Sequence, residues 1–476
     1  MENSGELVHI GRPKRSKVRR EPNPKRASRG KGVYIHTFGC QMNVYDSEKL
    51  ALLLESDFET LDSPEDADLI LVNTCSIREK AEHKLYSLVG GFKNLKERNP
   101  DLLIGVGGCV AQQEGKNILS RSPLVDFVFG THNLSEVPNL VARAQSGVTG
   151  QVAVEYRDEW EELPLAGKGG RASTFVSISR GCNKNCTYCV VPTTRGPEVS
   201  RPVAEILQEI RLAAIRGVRE VTLLGQTVNS YGLDLLPRMK FSELLELVAE
   251  IEGIERIRFT SPHPQEIRSD FFEILENNPK VCKHIHMPMQ SGSDPVLKAM
   301  NRNYRMKKFY SIVEGVRAAC PEVAISTDII VGFPGESDSD FEATLEAMER
   351  IRFDSSYSFA FSERPGTKAA EFTNQLPLEV RKERLARLQA LQDQHTQEKL
   401  DSWLGRETEV LVDGFMKSAP QRVQGRNSQN ILIHFDSEYD DLGPGVFVSG
   451  RITRASRYTL HAERIRQGVS NEVPSR

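Results

Sequence analysis

The eight cysteines of the chain stand at 40, 75, 109, 182, 186, 189, 282 and 320. Three of them lie in the run Cys182-Asn183-Lys184-Asn185-Cys186-Thr187-Tyr188-Cys189, with CxxxCxxC spacing. Three thiolates on one short loop suit a metal ion or an iron–sulfur cluster. Zinc is the competing occupant. A structural zinc takes four ligands, however, and no fourth Cys or His lies close in sequence. A cubane cluster held by three thiolates leaves one iron open. An open coordination position means chemistry, as it does at a catalytic zinc. Cys40, Cys75 and Cys109 share no spacing motif, yet each directly follows an apolar run, so a second three-thiolate cluster is the parallel expectation. Cys282 and Cys320 stand alone in apolar company and read as small buried hydrophobes.

Strand and helix patterns explain how distant cysteines could meet. Residues 33–37, 69–73 and 103–106 read as strands, with helical patterns at 46–55 and 78–98 between them. That order implies a parallel sheet with right-handed crossovers. Ligands of an open parallel sheet sit outside the carboxyl ends of its strands. Cys40, Cys75 and Cys109 should therefore converge on one crevice. Residues 135–171 read as a linker. A second alternation follows, with strands expected at 175–179, 220–224, 256–260, 284–288, 324–331 and 357–361, and helices between, for example 203–216, 243–251 and 309–319. Six β/α repeats make a barrel or partial barrel, whose sites lie in the loops after the strands. Cys182, Gln226, His263, Gln290 and the turn 332–335 all fall there. Asp328, within its strand, joins this set. Glycines at 332 and 335 would let backbone approach a cofactor. A charged helical stretch, 378–400, leads to short β-rich runs at 409–412, 431–435, 446–452 and 459–462, a pattern that fits a small antiparallel barrel. Lys417, Arg422, Arg426, Arg451, Arg454 and Arg457 would give that barrel a basic face.

The 476 residues are 39% hydrophobic, 27% charged and 7% aromatic. These values exclude collagen-like, disordered and disulfide-scaffold classes. No apolar run reaches the length of a membrane span, and the first residues lack the apolar core of a secretory signal. Eight cysteines without such a signal point to a reducing compartment, hence the cytoplasm. Net charge is −3, but residues 1–31 carry ten Lys/Arg against three Asp/Glu. A basic arm on a mildly acidic body points toward nucleic acid.

These motifs together resemble a known family. CxxxCxxC with an aromatic residue before the last cysteine is similar to the radical S-adenosylmethionine (SAM) superfamily. Residues 37–43, 180–201, 289–293 and 328–336 resemble its methylthiotransferases, and the tail resembles their TRAM domain, a small RNA-binding barrel. Gly39-Cys40-Gln41-Met42-Asn43 and Gly425-Arg426-Asn427-Ser428-Gln429-Asn430 look like the tRNA branch called MiaB.

The resemblance implies an α/β chain of four parts: a basic disordered arm (1–31), an N-terminal methylthiotransferase domain (32–148), a radical SAM domain built as a partial (β/α)6 barrel (168–399) and a TRAM barrel (402–467). It implies that Cys182, Cys186 and Cys189 hold a [4Fe–4S] cluster whose open iron binds SAM. Cys40, Cys75 and Cys109 would hold an auxiliary [4Fe–4S] cluster involved in sulfur delivery. Gln226, Gln290, Asp328, Gly332 and Gly335 are candidate SAM contacts. The implied reaction replaces the C2 hydrogen of N6-dimethylallyladenosine, at tRNA position 37 beside the anticodon, with a methylthio group. SAM serves as both radical source and methyl donor. Implied partners are that tRNA, an electron donor and a sulfur source or iron–sulfur assembly system, with the enzyme a monomer away from membranes. The alternatives within the family are methylthiolation of a ribosomal-protein aspartate, as in the RimO branch, and of threonylcarbamoyladenosine in tRNA. Such a C–H bond has no acidic proton for a side-chain base, so the hard step falls to a cofactor.

Overall fold

In the first third of the chain, short β-branched runs alternate with amphipathic helices. In the computed structural model these runs form a six-stranded, all-parallel sheet. The structure describes residues 30–76, 81–157, 159–165, 170–416, 419–436 and 441–465. Residues 1–29 of the basic arm and Lys417 lie outside them. The strands are β1 (Lys31–Thr37), β2 (Phe58–Thr60), β3 (Leu69–Thr74), β4 (Leu103–Gly108), β5 (Phe127–Phe129) and β6 (Gln151–Ala153), in the order β2-β1-β3-β4-β5-β6. Their side chains alternate between two apolar cores. Val33, Ile35, Leu69 and Leu71 enter one, and Ile70, Val72, Ile104 and Val106 the other. Helices thus cover both faces, as parallel sheets require.

Two expectations change here. Residues 135–171 do not form a plain linker. They include the helix Val137–Gln145 and strand β6, which completes the sheet. The long helix expected at 78–98 is split into Ala81–Gly91 and Lys93–Arg98, with Phe92 buried at the break.

The second alternation gives β7 (Ser173–Ser177), the short β8 (Ser179–Arg180) and β9 (Val199–Ser200), β10 (Glu220–Leu224), β11 (Arg256–Phe259), β12 (His284–His286), β13 (Ala324–Val331) and β14 (Ser355–Ala360). The six long strands pair as two parallel triplets, β11-β10-β7 and β12-β13-β14. A single bridge, Ile257 to Val281, links them. The half-barrel has distinct faces. Ile285, Ile325, Ile329 and Val331 join Phe309, Val313, Phe341 and Met348 of the helices in the main core. Alternation therefore points His286, Ser326, Asp328 and Ile330, with their ladder partners Ser355, Tyr357 and Phe359, into the lumen.

A buried charged cluster joins the first sheet to the half-barrel. Lys49, on the helix Gln41–Leu53, meets Glu209 of the helix Val203–Ile215 at 2.5 Å, and Arg201 meets the same carboxylate at 2.5 Å. Buried charges persist only when paired in this way.

The helix Leu378–Asp401 leads to a closed five-stranded barrel: β15 (Glu407–Phe415), β16 (Val423–Arg426), β17 (Leu432–Phe435), β18 (Phe447–Ser456) and β19 (Thr459–Arg464). One pair, β17–β19, is parallel, so the barrel is not purely antiparallel. Nor is its face freely basic. Arg451 pairs with Glu407, Arg454 with Asp436 and Arg457 with Asp393, at 2.7–3.7 Å. Arg426 lies 3.9 Å from Asp413. Among the described residues no helix is long and apolar enough to cross a membrane.

Candidate functional site

The run from Cys182 to Cys189 follows β8 through Gly181, at φ +73°, where a Cβ would stand 1.8 Å from the Pro197 carbonyl oxygen. The loop is pinned from outside. Thr187 donates its amide to Met300 O and its hydroxyl to Ala299 O, and the Asn301 side chain donates to Asn185 O at 2.7 Å. Every sulfur meets a polar neighbour. The Lys184 amide donates to Cys182 Sγ at 3.4 Å, and Thr227 lies 3.8 Å away. Arg302 donates to Cys186 Sγ at 3.6 Å, and the Val191 amide to Cys189 Sγ at 3.5 Å.

Burial pushes the Cys182 thiol up and the Cys189 thiol up to about 11. Thiolates here therefore call for a cation, and the surrounding N–H donors suit a sulfur-rich anionic cluster. Arg302 is itself buried. Burial opposes its charge, but Tyr304, Tyr188 and Cys186 outweigh that and hold it charged.

The other three cysteines stand at the carboxyl ends of the neighbouring strands β1, β3 and β4. Cys40 caps the helix Gln41–Leu53, Cys75 follows β3, and Cys109 opens the helix Cys109–Glu114. Asn43 ties the first two turns together, donating to Phe38 O at 2.8 Å and Thr74 O at 2.7 Å. Gly39 takes φ +106°, and its missing side chain leaves room for Cys75.

Replacement of Gly39 by alanine is expected to disturb this crevice directly. The new Cβ would lie 2.3 Å from Cys75 Cβ and 2.6 Å from its sulfur. Backbone strain alone costs ~1–3 kcal/mol. Iron loading of reconstituted Gly39→Ala protein should fall well below wild type, with a lowered denaturation midpoint. Full iron content would refute the crowding argument.

Arg195 connects the two triplets. It lies just beyond the CxxxCxxC loop, yet its guanidinium reaches Asn43 at 2.9 Å and Asp46 at 2.8 Å. Burial works against its charge, while Asp46, Cys109 and Cys40 hold it charged. Cys40, Met42 and Tyr45 also pack against Phe175 and Leu224 on the lumen side of β7 and β10. The two cysteine sets thus belong to facing rims. Among the described residues no three His, Cys, Asp or Glu side chains close on a single metal ion. A cubane does not ask them to, because its thiolates bind different irons. Thiols are the donors such a group takes, so the chemistry of both sets suits it.

Gln226 meets the Met42 sulfur, and its Oε1 is buried without a partner. Gln290 is buried at φ +68°, its amide on Asp328 O at 2.8 Å. Asp328 faces the lumen, 3.3 Å from His286. The reason given for Gly332 and Gly335 changes. Both have positive φ, but their missing Cβ atoms make room for Arg381 and Asn374 rather than a cofactor. The Gly332 amide is already held by Glu336 Oε2 at 2.7 Å. Burial, with Arg302 and Lys184, pushes His263 down to about 2, so it stays neutral. Cys320 lies in the main core, but Cys282 has polar company: it is buried beside Arg258 and Glu220.

Sequence reading missed Arg195, Arg302 and Asn43 as site residues. It also missed the task of the 425–430 motif. Arg256 donates to Arg426 O, and Arg258 to Asn427 O and Ser428 O, at 2.7–3.0 Å. That motif docks the small barrel onto β11.

Comparison with known proteins now adds to this geometry. Residues 32–130 match the family described as "Uncharacterized protein family UPF0004", and residues 176–348 match the Radical SAM superfamily. The fold is shared with a radical S-adenosylmethionine methyltransferase, TsrM from Kitasatospora setae, whose structure holds cobalamin and a [4Fe-4S] cluster. The TM-score is 0.52 at 13% identity, over 72% of this chain and 74% of that one. A protein of Corynebacterium glutamicum (strain R), named tRNA-2-methylthio-N(6)-dimethylallyladenosine synthase, is 46% identical over 90% of this chain and 84% of its own length. One of Syntrophus aciditrophicus with the same name is 44% identical over 92% and 95%. Identity at that level, sustained along nearly the whole of both sequences, leaves one assignment: the chain belongs to the family of tRNA-2-methylthio-N(6)-dimethylallyladenosine synthases, within the radical SAM superfamily.

Proposed function

We propose that this chain methylthiolates C2 of N6-dimethylallyladenosine at position 37 of tRNA, using SAM and two [4Fe–4S] clusters. The observation that carries this reading is the pair of three-cysteine sets on facing rims, in a chain whose relatives bear that enzyme's name over nine-tenths of its length. Cys182, Cys186 and Cys189 would hold the SAM-binding cluster, and Cys40, Cys75 and Cys109 the auxiliary one. The chemistry supplied there, once both are in place, is reductive cleavage of SAM and delivery of sulfur.

The protein's own part is positioning. Arg302 and the Lys184 and Val191 amides offset negative charge on the first set of sulfurs, and Arg195 does so for the second. Gln226, Gln290 and Asp328 line the rim and lumen where SAM would lie. The neutral His263 takes no proton. A base acted on at C2 must be unstacked and reachable, and the single-stranded loop of an anticodon arm supplies that.

The division into a basic arm (1–31), an N-terminal unit (32–148, drawn onward through β6), a half-barrel (168–399) and a TRAM barrel (402–467) accompanies this reading. So do action as a monomer in the cytoplasm and dependence on an external electron donor and sulfur source.

The test is anaerobic. Protein reconstituted with iron and sulfide is given SAM, a strong reductant and tRNA bearing N6-dimethylallyladenosine, and the nucleosides are analysed by mass spectrometry. The 2-methylthio nucleoside is the expected product. Release of 5′-deoxyadenosine without it would redirect the assignment to the ribosomal-protein or threonylcarbamoyladenosine substrates.

A further inference from the structure

β14 reads Ser-Ser-Tyr-Ser-Phe-Ala and is the hydrogen-bonding edge of its triplet. Its alternate residues Tyr357 and Phe359 are 62% and 47% exposed. Among the described residues no other strand exposes two large hydrophobic side chains. Edge strands ordinarily present polar or charged groups to water, and an exposed apolar stripe marks a binding surface. This stripe is on the lumen face, where Tyr357 is the ladder partner of Asp328 and Phe359 that of Ile330.

The stripe is continuous with the site at both ends. The Tyr357 ring packs edge-on against His286, at 5.7 Å between centroids, and His286 meets Asp328. Ile330, beside Phe359, packs into the cluster of Phe333, Phe361 and Tyr188, and Tyr188 sits between Cys186 and Cys189. An aromatic surface therefore runs from a polar His–Asp pair toward the cysteine loop.

We propose that Tyr357 and Phe359 form the subsite for the substrate base and its five-carbon dimethylallyl branch. This inference rests on the function proposed above. The chemistry is complementary: an unstacked purine offers a π face to aromatic side chains, and the branch needs an apolar wall. On this side of the half-barrel Tyr357, Phe359 and the adjoining Ile330 supply that wall, next to the polar His286, Ser326 and Asp328.

The test uses full-length protein and two anticodon stem-loop RNAs that differ only in whether the adenosine carries the dimethylallyl group. Affinities are measured at one fixed salt concentration. Wild type should prefer the modified RNA. Phe359→Ala and Tyr357→Ala should each lower that preference by about tenfold, the scale of a few methylene contacts in an apolar pocket. Phe359→Leu, which keeps an apolar wall, should retain most of it. Both positions are exposed, so a matching thermal melt is expected. Equal weakening on both RNAs, an unchanged preference, or a leucine variant as poor as alanine would each overturn the subsite. So would a wild type that makes product but binds both RNAs equally. A wild type that makes no product from modified tRNA overturns instead the function on which the subsite depends.

Discussion

Cys186→Ala protein is expected to release no 5′-deoxyadenosine and to make no methylthiolated nucleoside, both at the detection limit. The loop offers three sulfurs and no spare donor: Lys184, Thr227, Val191 and Arg302 surround them with N–H and O–H groups. Removal of one sulfur leaves two thiolates and the buried Arg302 charge without its sulfur partner. Two thiolates do not retain a cubane well, so iron should fall to about half of the wild-type content while the second set stays loaded. His263, kept neutral by its burial, does not substitute for the lost chemistry. Loss of stability should be small, since Cys186 is only half-buried. Iron analysis, electron paramagnetic resonance and nucleoside release check the result together. Persistent 5′-deoxyadenosine release would show that Cys186 is not a ligand.

Cys75→Ala should separate the two halves of the reaction. Cys75 lies in the other set, behind Gly39 and next to the Asn43 bonds that tie β1 to β3. Its loss should remove the auxiliary iron and stop sulfur insertion, a drop to background in methylthiolated product. Cleavage of SAM to 5′-deoxyadenosine should continue, because the turn 299–302 holds the CxxxCxxC loop through Thr187, Asn185 and Cys186. Arg195 is the shared element, so a modest fall in cleavage rate is compatible with this outcome. Methylthiolated tRNA from the Cys75 variant would end the auxiliary role.

What could be read beforehand followed from periodicity. β10 and β13 match the expected bounds, since continuous apolar runs between turn residues leave little freedom. The three strand-end cysteines were legible for the same reason: β/α alternation fixes which ends of the strands share a rim. Residues that act across the rims were not legible. Arg195 lies 149 residues from Asp46, and Arg302 lies 116 from Cys186. No local pattern marks such pairs. The helix Val137–Gln145 was lost because a short segment with an early proline gives too few turns to show a period, and the three-residue β6 has no visible alternation. The start of the helix Gln41–Leu53 was placed late because Asn43, a poor helix former, is there to bond the carbonyls of two neighbouring turns. The basic barrel face is offset in part, which escaped notice for a different reason: counting arginines cannot show the carboxylates that pair with Arg426, Arg451, Arg454 and Arg457.

The grip of Arg256 and Arg258 on the backbone of residues 426–428 has a consequence for selection. Units joined by a linker ordinarily swivel, but here two buried guanidiniums, those of Arg256 and Arg258, hold main-chain oxygens of the small barrel. That contact seats the small barrel on β11 and so sets its spacing from the cysteine loops. On the proposed function, a tRNA that touches both the small barrel and the cysteine rims would deliver its reactive base only when its own curvature and reach agree with that spacing. Such an enzyme would sort its substrates by shape before any base is read.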